Sequence, residues 1–88
     1  MDIDWLRLKI DELDIQILEL INKRAELAIE IGKLKKAKGL PIFSPERERE
    51  LLAELRKKNS GPLKDEAITR VYERIIEEIR ESEIDAVS

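Results

Sequence analysis

The sequence predicts an all-α protein of three helices per chain with a long first helix, assembled as an intertwined homodimeric helical bundle. Three observations predict this fold class. The residues are 42% hydrophobic but only 3% aromatic, so the core must be built from small aliphatic side chains. Apolar residues recur in a heptad pattern up to about residue 38. Gly-Pro breaks occur only at residues 39–41 and 60–62. We expect a single domain over residues 1–88.

The first helix is predicted over about residues 3–38, because no proline interrupts this stretch. One heptad position holds isoleucine except at Arg24, and the position three residues later holds only leucine. At about 1.5 Å per residue the helix is about 50 Å long, whereas a compact domain of this length is roughly 25 to 30 Å across. The overhanging apolar surface requires a cover, and a second copy of the chain is the simplest one.

The same heptads also fit a parallel two-stranded coiled coil, in which a lone polar seam residue such as Arg24 fixes the register. Such a coil leaves positions outside the seam in water. Several of these positions are apolar here, namely Leu8, Ile15, Leu18, Ile21 and Ile29. A bundle in which the second and third helices cover the first would bury them, so the pattern favours the bundle.

A second helix is predicted over about residues 45–58, since Ser44 suits the N-cap and Pro45 the first helical position. A third helix is predicted over about residues 63–84, after the second Gly-Pro break. Both helices are amphipathic. Their apolar faces hold Leu51, Leu52 and Leu55 in the second helix and Ile68, Tyr72, Ile75, Ile76 and Ile79 in the third. Glu83 continues the apolar stripe of the third helix.

Composition excludes several kinds of site and partner. Without cysteine or histidine, any catalysis must use carboxylates, Lys, Arg or hydroxyl groups, and no thiolate metal site is available. The balance of 17 basic and 20 acidic residues argues against nucleic-acid binding. No apolar run reaches the roughly 20 residues of a membrane span and no signal peptide opens the chain, so we expect a cytoplasmic protein. Abundant Lys and Glu indicate a thermophilic source.

Basic residues on the first helix are candidates for binding an anion. Arg24 stands where an isoleucine is expected, and a buried guanidinium needs a carboxylate from the protein or from a ligand. Lys35 lies about 16 Å further along nearly the same face, and this second cation favours a ligand over an internal salt bridge. Arg7 lies about 25 Å before Arg24. It could reach such a site only from the partner chain of an antiparallel dimer.

Two carboxylates are candidates for the same site. Glu48 lies one turn before Leu51, and Glu83 ends the apolar stripe of the third helix, so both could face the interior. Taken singly, each would more often be a solvated helix residue. Arg47 and Arg49 flank Glu48 and project about 200° apart, so only one of them can share the face of a bound ligand. The helix geometry does not choose between them.

Arg7, the run LINKRAELAIEIGKLK and the helix start SPERERELL together resemble the small all-helical chorismate mutases. The resemblance covers nearly the whole chain. It implies an intertwined dimer with two active sites that converts chorismate to prephenate, a step of aromatic amino-acid biosynthesis. It also implies that this isomerisation needs no cofactor, metal or covalent intermediate.

The resemblance also assigns roles to residues. Arg24 would grip one substrate carboxylate, and Arg7 of the partner chain would reach the other. Lys35 would donate to the ether oxygen and to a carboxylate. Arg47 would lie near the ligand, and Glu48 would accept a hydrogen bond from the ring hydroxyl.

Three substrate-binding positions depart from the common bacterial pattern. Ser44 stands where Asp is common, Ile79 where a small hydroxyl residue is common, and Glu83 where Gln is common. Glu83 would have to be protonated to donate a hydrogen bond to the ether oxygen. Burial would raise its pKa and the neighbouring cations would lower it, so the sequence leaves the balance open.

Two other functions fit the sequence. One is an isochorismate-pyruvate lyase, an enzyme of the same fold that binds a near-identical dianion. A non-catalytic dimerisation module would instead pair Arg24 and Lys35 with Glu48 and Glu83 inside the bundle. Because we expect no second domain, we also expect none of the dehydrogenase, dehydratase or synthase activities that are often fused to such mutases.

Overall fold

The computed structural model describes residues 2–88, which form three helices: α1 (Ile3–Ala37), α2 (Pro45–Lys58) and α3 (Asp65–Val87). No β-strand occurs within these residues. The predicted all-helical class and the order of the helices are confirmed. The bounds of α1 and α2 agree with the prediction to within one residue, whereas α3 begins two residues later and ends three residues later than predicted.

Helix α1 begins after Asp2, whose carboxylate accepts a hydrogen bond from the backbone N–H of Trp5 at 2.8 Å. The helix runs far beyond the rest of the chain, as its length predicts. The molecule measures 55 × 25 × 15 Å, and its radius of gyration of 16.0 Å exceeds the about 12 Å expected of a compact domain of this length. Every residue from Asp2 to Leu20 is exposed. The N-terminal half of α1 therefore extends into solvent in a single chain.

Helix α3 holds the other two together. It packs against both α1 and α2, whereas α1 and α2 do not pack directly against each other over the residues described. The two buried aliphatic side chains, Ile76 and Ile79, both belong to α3. Within a single chain α2 therefore does not cover α1, and the expectation that it does so in the assembled bundle stays a prediction. The gap left between α1 and α2 is where the candidate site lies.

A glycine turn ends α1 and redirects the chain. Gly39 has a φ of +70°, a conformation that glycine adopts without strain. Its N–H donates to the Lys36 carbonyl at 3.1 Å, and the N–H of Leu40 donates to the Lys35 carbonyl at 2.8 Å. This pair of bonds is a Schellman motif. The turn sends the following residues back past the end of α1, where they reach the side chain of Lys35.

Asn59 organises the turn before α3 and explains the late start of that helix. Its side-chain amide donates to the Leu63 carbonyl and to the Asp65 carboxylate, both at 2.8 Å. Its side-chain oxygen accepts from the N–H of Gly61. These bonds hold residues 61–64 outside the helix. At the other end, no glycine or proline follows Ile84, so α3 continues until Val87, whose carbonyl accepts from the Lys36 ammonium.

A single chain exposes more surface than its mass predicts. The accessible area is 7235 Å², about 1,900 Å² more than the roughly 5,350 Å² expected for a compact monomer. Much of it is apolar, because most of the large aliphatic side chains along α1 stay between 44% and 69% exposed. None of the helices within residues 2–88 combines the length and the apolar character needed to cross a membrane.

Candidate functional site

A cavity of about 270 Å³ lies between α1 and α2, against α3. Its volume is close to the lower end of the roughly 300–1,000 Å³ typical of small-molecule sites. All three helices and the α1–α2 loop contribute side chains to it. They are Arg24, Leu27, Ala28, Ile31, Lys35, Ile42, Ser44, Arg47, Glu48, Leu51, Ile76, Arg80 and Glu83.

Arg24 and Lys35 line the α1 side of the cavity, as the sequence predicts. Both are half-buried. Within residues 2–88, neither has a carboxylate at salt-bridge distance, and Glu48 pairs with another residue. The arrangement expected of a dimerisation module, with these cations neutralised by Glu48 and Glu83, is therefore not formed within a single chain. The two cations instead face an open space.

The loop after the glycine turn fixes the position of the Lys35 ammonium. Lys35 Nζ donates to the carbonyl oxygen of Ile42 at 3.0 Å. An ammonium group has three donors, so two remain for a ligand. A cation held in advance costs less ordering when a ligand binds. The backbone of the loop therefore prepares Lys35 as a donor.

The first turn of α2 supplies the opposite wall. Ser44 occupies the N-cap position but makes no side-chain capping bond, so its hydroxyl remains available at the cavity wall. Glu48 is half-buried and faces the cavity. Of the two flanking arginines, Arg47 lines the cavity and Arg49 does not. Of the two residues that helix geometry left open, the cavity wall thus includes Arg47, the one that the resemblance indicates.

Arg80 lines the cavity, although no pattern described above singles it out in the sequence. Its Nη2 lies 3.2 Å from Oε1 of Glu48, and its guanidinium carbon lies 4.3 Å from the centroid of the Phe43 ring. The spacing of Ile76, Arg80 and Glu83 places all three on one face of a helix. Arg80 could have been predicted as a site residue from that spacing.

Glu83 lies against Gly32 of α1. Gly32 is buried there, and a methyl group added to it would meet the Cβ and Oε2 of Glu83 at 3.4 Å. A longer side chain would displace the carboxyl group. Burial raises the pKa of Glu83 above its ordinary value of 4.5, although the charges of Lys35, Arg24 and Arg80 act in the opposite direction. The sequence had left this balance open.

Two of the predicted site residues are not brought to the cavity of a single chain. Ile79 lies in the core, 4% exposed, and is not among the lining residues. Arg7 is exposed on the N-terminal half of α1, more than four helical turns before Arg24. Its predicted role depends on a second chain and stays a prediction.

The charges of the cavity suit a small dianion. Four cations, Arg24, Lys35, Arg47 and Arg80, face two carboxylates, Glu48 and Glu83, which leaves a net charge of +2 when both acids are ionised. Apolar side chains such as Ile31, Leu51 and Ile76 surround these groups. Such a site can hold two carboxylates and present donors to a third oxygen. Over the described part of the chain, no cluster of three or more carboxylates is placed to bind a metal ion.

Comparison with known proteins agrees with this geometry. Residues 6–84 match the family described as chorismate mutase type II. Among curated proteins, a bifunctional chorismate mutase/prephenate dehydratase from Aquifex aeolicus is 43% identical over 75 residues. The match covers 81% of this chain and 21% of that protein. The chain thus spans about a fifth of the length of this relative.

Two solved structures share the fold along most of their length. Chorismate mutase (form II) from Thermus thermophilus superposes with a TM-score of 0.91 at 38% identity, covering 92% of each chain. Chorismate mutase from Helicobacter pylori, solved in complex with prephenate, gives a TM-score of 0.88 at 32% identity. That match covers 96% of this chain and 91% of the other.

Proposed function

The chain belongs to the chorismate mutase type II family, and we propose that it catalyses the rearrangement of chorismate to prephenate in aromatic amino-acid biosynthesis. In this Claisen rearrangement an ether C–O bond breaks while a C–C bond forms within the same molecule. No atom or electron enters or leaves. The enzyme has only to fold the substrate into its reactive conformation and stabilise the charge that develops on the ether oxygen.

The net charge of the cavity is the observation that carries this proposal. Chorismate is a dianion, and the site presents four cations against two carboxylates. Arg24 and Lys35 are half-buried without a carboxylate partner among the described residues. A cation held in that state interacts with an anionic ligand in a medium that screens it less than water does. The carboxylates of the substrate then neutralise these two cations.

Each residue type fits the role that family membership suggests for it. The planar fork of Arg24 binds one substrate carboxylate through two parallel hydrogen bonds, which fixes its orientation. Lys35 directs its remaining donors to the ether oxygen and to a carboxylate. Glu48 accepts from the ring hydroxyl, while Arg47 and Ser44 lie at the same wall of the cavity. Ile79 offers no hydroxyl and does not line the cavity of a single chain, so the second substrate carboxylate depends on backbone groups, water or the partner's Arg7.

Glu83 has to be protonated to assist the reaction. It lines the cavity with Arg24 and Lys35 on α1, Glu48 on α2 and Arg80 on α3. An ionised carboxylate would repel an ether oxygen that gains negative charge, whereas a carboxylic acid donates a hydrogen bond to it. Burial by the protein itself already raises the pKa of Glu83. A bound dianion raises this pKa further, because like charges disfavour ionisation.

We expect kcat to fall as pH rises through the apparent pKa of Glu83, because only its protonated form is active. Glu83→Gln keeps the shape of the side chain and provides a permanent N–H donor. This variant should therefore have a flat pH profile, with activity near neutrality equal to or above that of the wild type. The measurement is kcat between about pH 4.5 and 8, a range over which Arg and Lys remain charged.

Glu81→Gln is the matched control, since Glu81 is exposed on the same helix and outside the cavity. It should retain the wild-type pH profile. If Glu83→Gln retains that profile as well, Glu83 is not the titrating donor.

We further propose that two chains intertwine as an antiparallel homodimer. If each chain hides the excess of about 1,900 Å², the dimer buries about 3,800 Å², within the roughly 2,000–5,000 Å² of obligate interfaces. The N-terminal half of α1, whose apolar side chains nothing covers in a single chain, provides the contact. Arg7 would then enter the site of the partner chain. Light scattering should give twice the mass of one chain.

The direct test of the function is to add chorismate to the purified chain and follow the loss of its absorbance. Formation of prephenate, identified by mass and by NMR, is the expected result. The same assay with isochorismate tests the lyase of the same fold, for which release of pyruvate is diagnostic. If both substrates remain unchanged with a dimeric protein, the chain is a dimerisation module. A cytoplasmic location and a thermophilic source stay predictions from composition.

A further inference from the structure

Arg80 makes an ion pair unlike the others over residues 2–88. Four of the five pairs there join residues three or four positions apart on one helix, and their side chains are 48% to 72% exposed. The pair of Arg80 with Glu48 joins α3 to α2, and its side chains are only 26% and 25% exposed. Pairs of the first kind contribute little. A half-buried pair between two elements instead fixes a geometry, because water screens it less.

The ring of Phe43 further restricts movement of the Arg80 guanidinium. The ring lies against Arg80 at 4.3 Å from centroid to guanidinium carbon, a distance typical of a cation–π contact. Phe43 comes from the loop whose Ile42 carbonyl accepts from Lys35. Arg80 is thus held by the loop on one side and by Glu48 on the other. Its position is set before any ligand binds.

The pair leaves Glu48 able to bind a ligand. Arg80 contacts one carboxylate oxygen, Oε1, and a carboxylate offers about four acceptor positions on its two oxygens. The other oxygen is free to accept from a hydroxyl group. Without Arg80, Glu48 would be a half-buried carboxylate on α2 with no cation to orient it.

We propose that Arg80 is a positioning residue of the active site, which holds Glu48 from α3 so that the second carboxylate oxygen meets the ring hydroxyl of chorismate. This inference rests on the proposed function. In this arrangement Arg80 acts on the substrate through Glu48 rather than by direct contact. It also couples the position of α2 to the rest of the site, because α1 and α2 do not pack against each other over the described residues.

The first test compares Arg80→Gln, Arg80→Lys and the control Arg74→Gln. Arg74 is on the same helix and forms only surface pairs with Glu77 and Glu78. Loss of one charge-assisted hydrogen bond predicts that Arg80→Gln lowers kcat/KM about tenfold. Arg80→Lys should recover part of this loss, and Arg74→Gln should match the wild type. If Arg80→Gln also matches the wild type, the positioning role is overturned.

A double-mutant cycle separates positioning from direct contact and from a general effect on folding. If Arg80 acts through Glu48, then Arg80→Gln causes no further loss of kcat/KM in a Glu48→Gln background. Additive losses would mean that Arg80 binds the substrate itself or only stabilises the fold, and would overturn the proposal. Thermal unfolding of each variant is measured alongside, to confirm that the proteins compared are folded.

A measurement on the ligand-free protein does not depend on activity. The Nη hydrogens of Arg80 should give resolved NMR signals in the wild type, since pairing slows rotation of the guanidinium, and these signals should average in Glu48→Gln. Averaged signals in the wild type would overturn the proposal even if the enzyme is active. A wild type that leaves chorismate unchanged would overturn the proposed function, and this role with it.

Discussion

Arg24→Ala should lower kcat/KM on the order of 100- to 1,000-fold, because it removes two charge-assisted hydrogen bonds to a substrate carboxylate, each worth at least about 1.5 kcal/mol. The side chain lines the cavity, is half-buried, and has no carboxylate at salt-bridge distance within residues 2–88. Its charge is therefore available for a substrate carboxylate. Deleting an unpaired and partly desolvated charge also relieves the folded protein of a cost. The variant should remain dimeric and unfold at the same or a higher temperature.

Steady-state kinetics and light scattering measure the two halves of this prediction. Arg74→Ala is the control, because it removes an arginine that is 72% exposed and outside the cavity. It should change neither activity nor mass. Dissociation of Arg24→Ala into unfolded chains, with no substrate present, would mean that Arg24 is a structural residue of the dimer.

Arg7→Ala should be nearly as damaging as Arg24→Ala, and the two inactive variants should rescue each other. In a heterodimer, the Arg7→Ala chain retains Arg24 and the Arg24→Ala chain retains Arg7. If each site contains Arg24 of one chain and Arg7 of the other, one of the two sites in the heterodimer has both arginines. Purified heterodimers should then reach about half of the wild-type rate per dimer.

Distinct affinity tags on the two chains allow the heterodimer to be isolated by two successive purifications. Homodimers of Arg24→Ala, tagged and mixed in the same way, are the control and should stay inactive. A verified heterodimer without activity would place Arg7 in the site of its own chain. Contact of one ligand with both Arg7 and Arg24, across roughly 25 Å of the same helix, would then have no physical explanation.

The sequence predicted the helices well because each is encoded locally. The heptads of α1, the Ser44-Pro45 start of α2 and the apolar stripe of α3 are patterns of neighbouring residues. The start of α3 was missed because it depends on Asn59, whose side chain bonds to residues four and six positions later. Nothing in a periodic pattern encodes that choice.

The side chains that line the cavity could be predicted only where a local sequence pattern marks them. Arg24 and Lys35 stand out because charges interrupt apolar positions on one helix face. The bond from Lys35 to the Ile42 carbonyl depends on the path of a loop, and the bond from Arg80 to Glu48 depends on how two helices pack. Neither relation is contained in the spacing of residues. Helix geometry likewise could not choose between Arg47 and Arg49, because that choice depends on the rotation of α2 about its own axis.

Only Ile76 and Ile79 are buried aliphatic side chains among the described residues of a single chain, and this small core has a thermodynamic consequence. So little burial cannot offset the conformational entropy that three ordered helices lose, so in the proposed dimer folding and pairing of the chains become one equilibrium. The law of mass action then governs stability. We therefore expect the midpoint of thermal unfolding to rise with protein concentration, and the fold and the proposed active sites to be lost together on dilution.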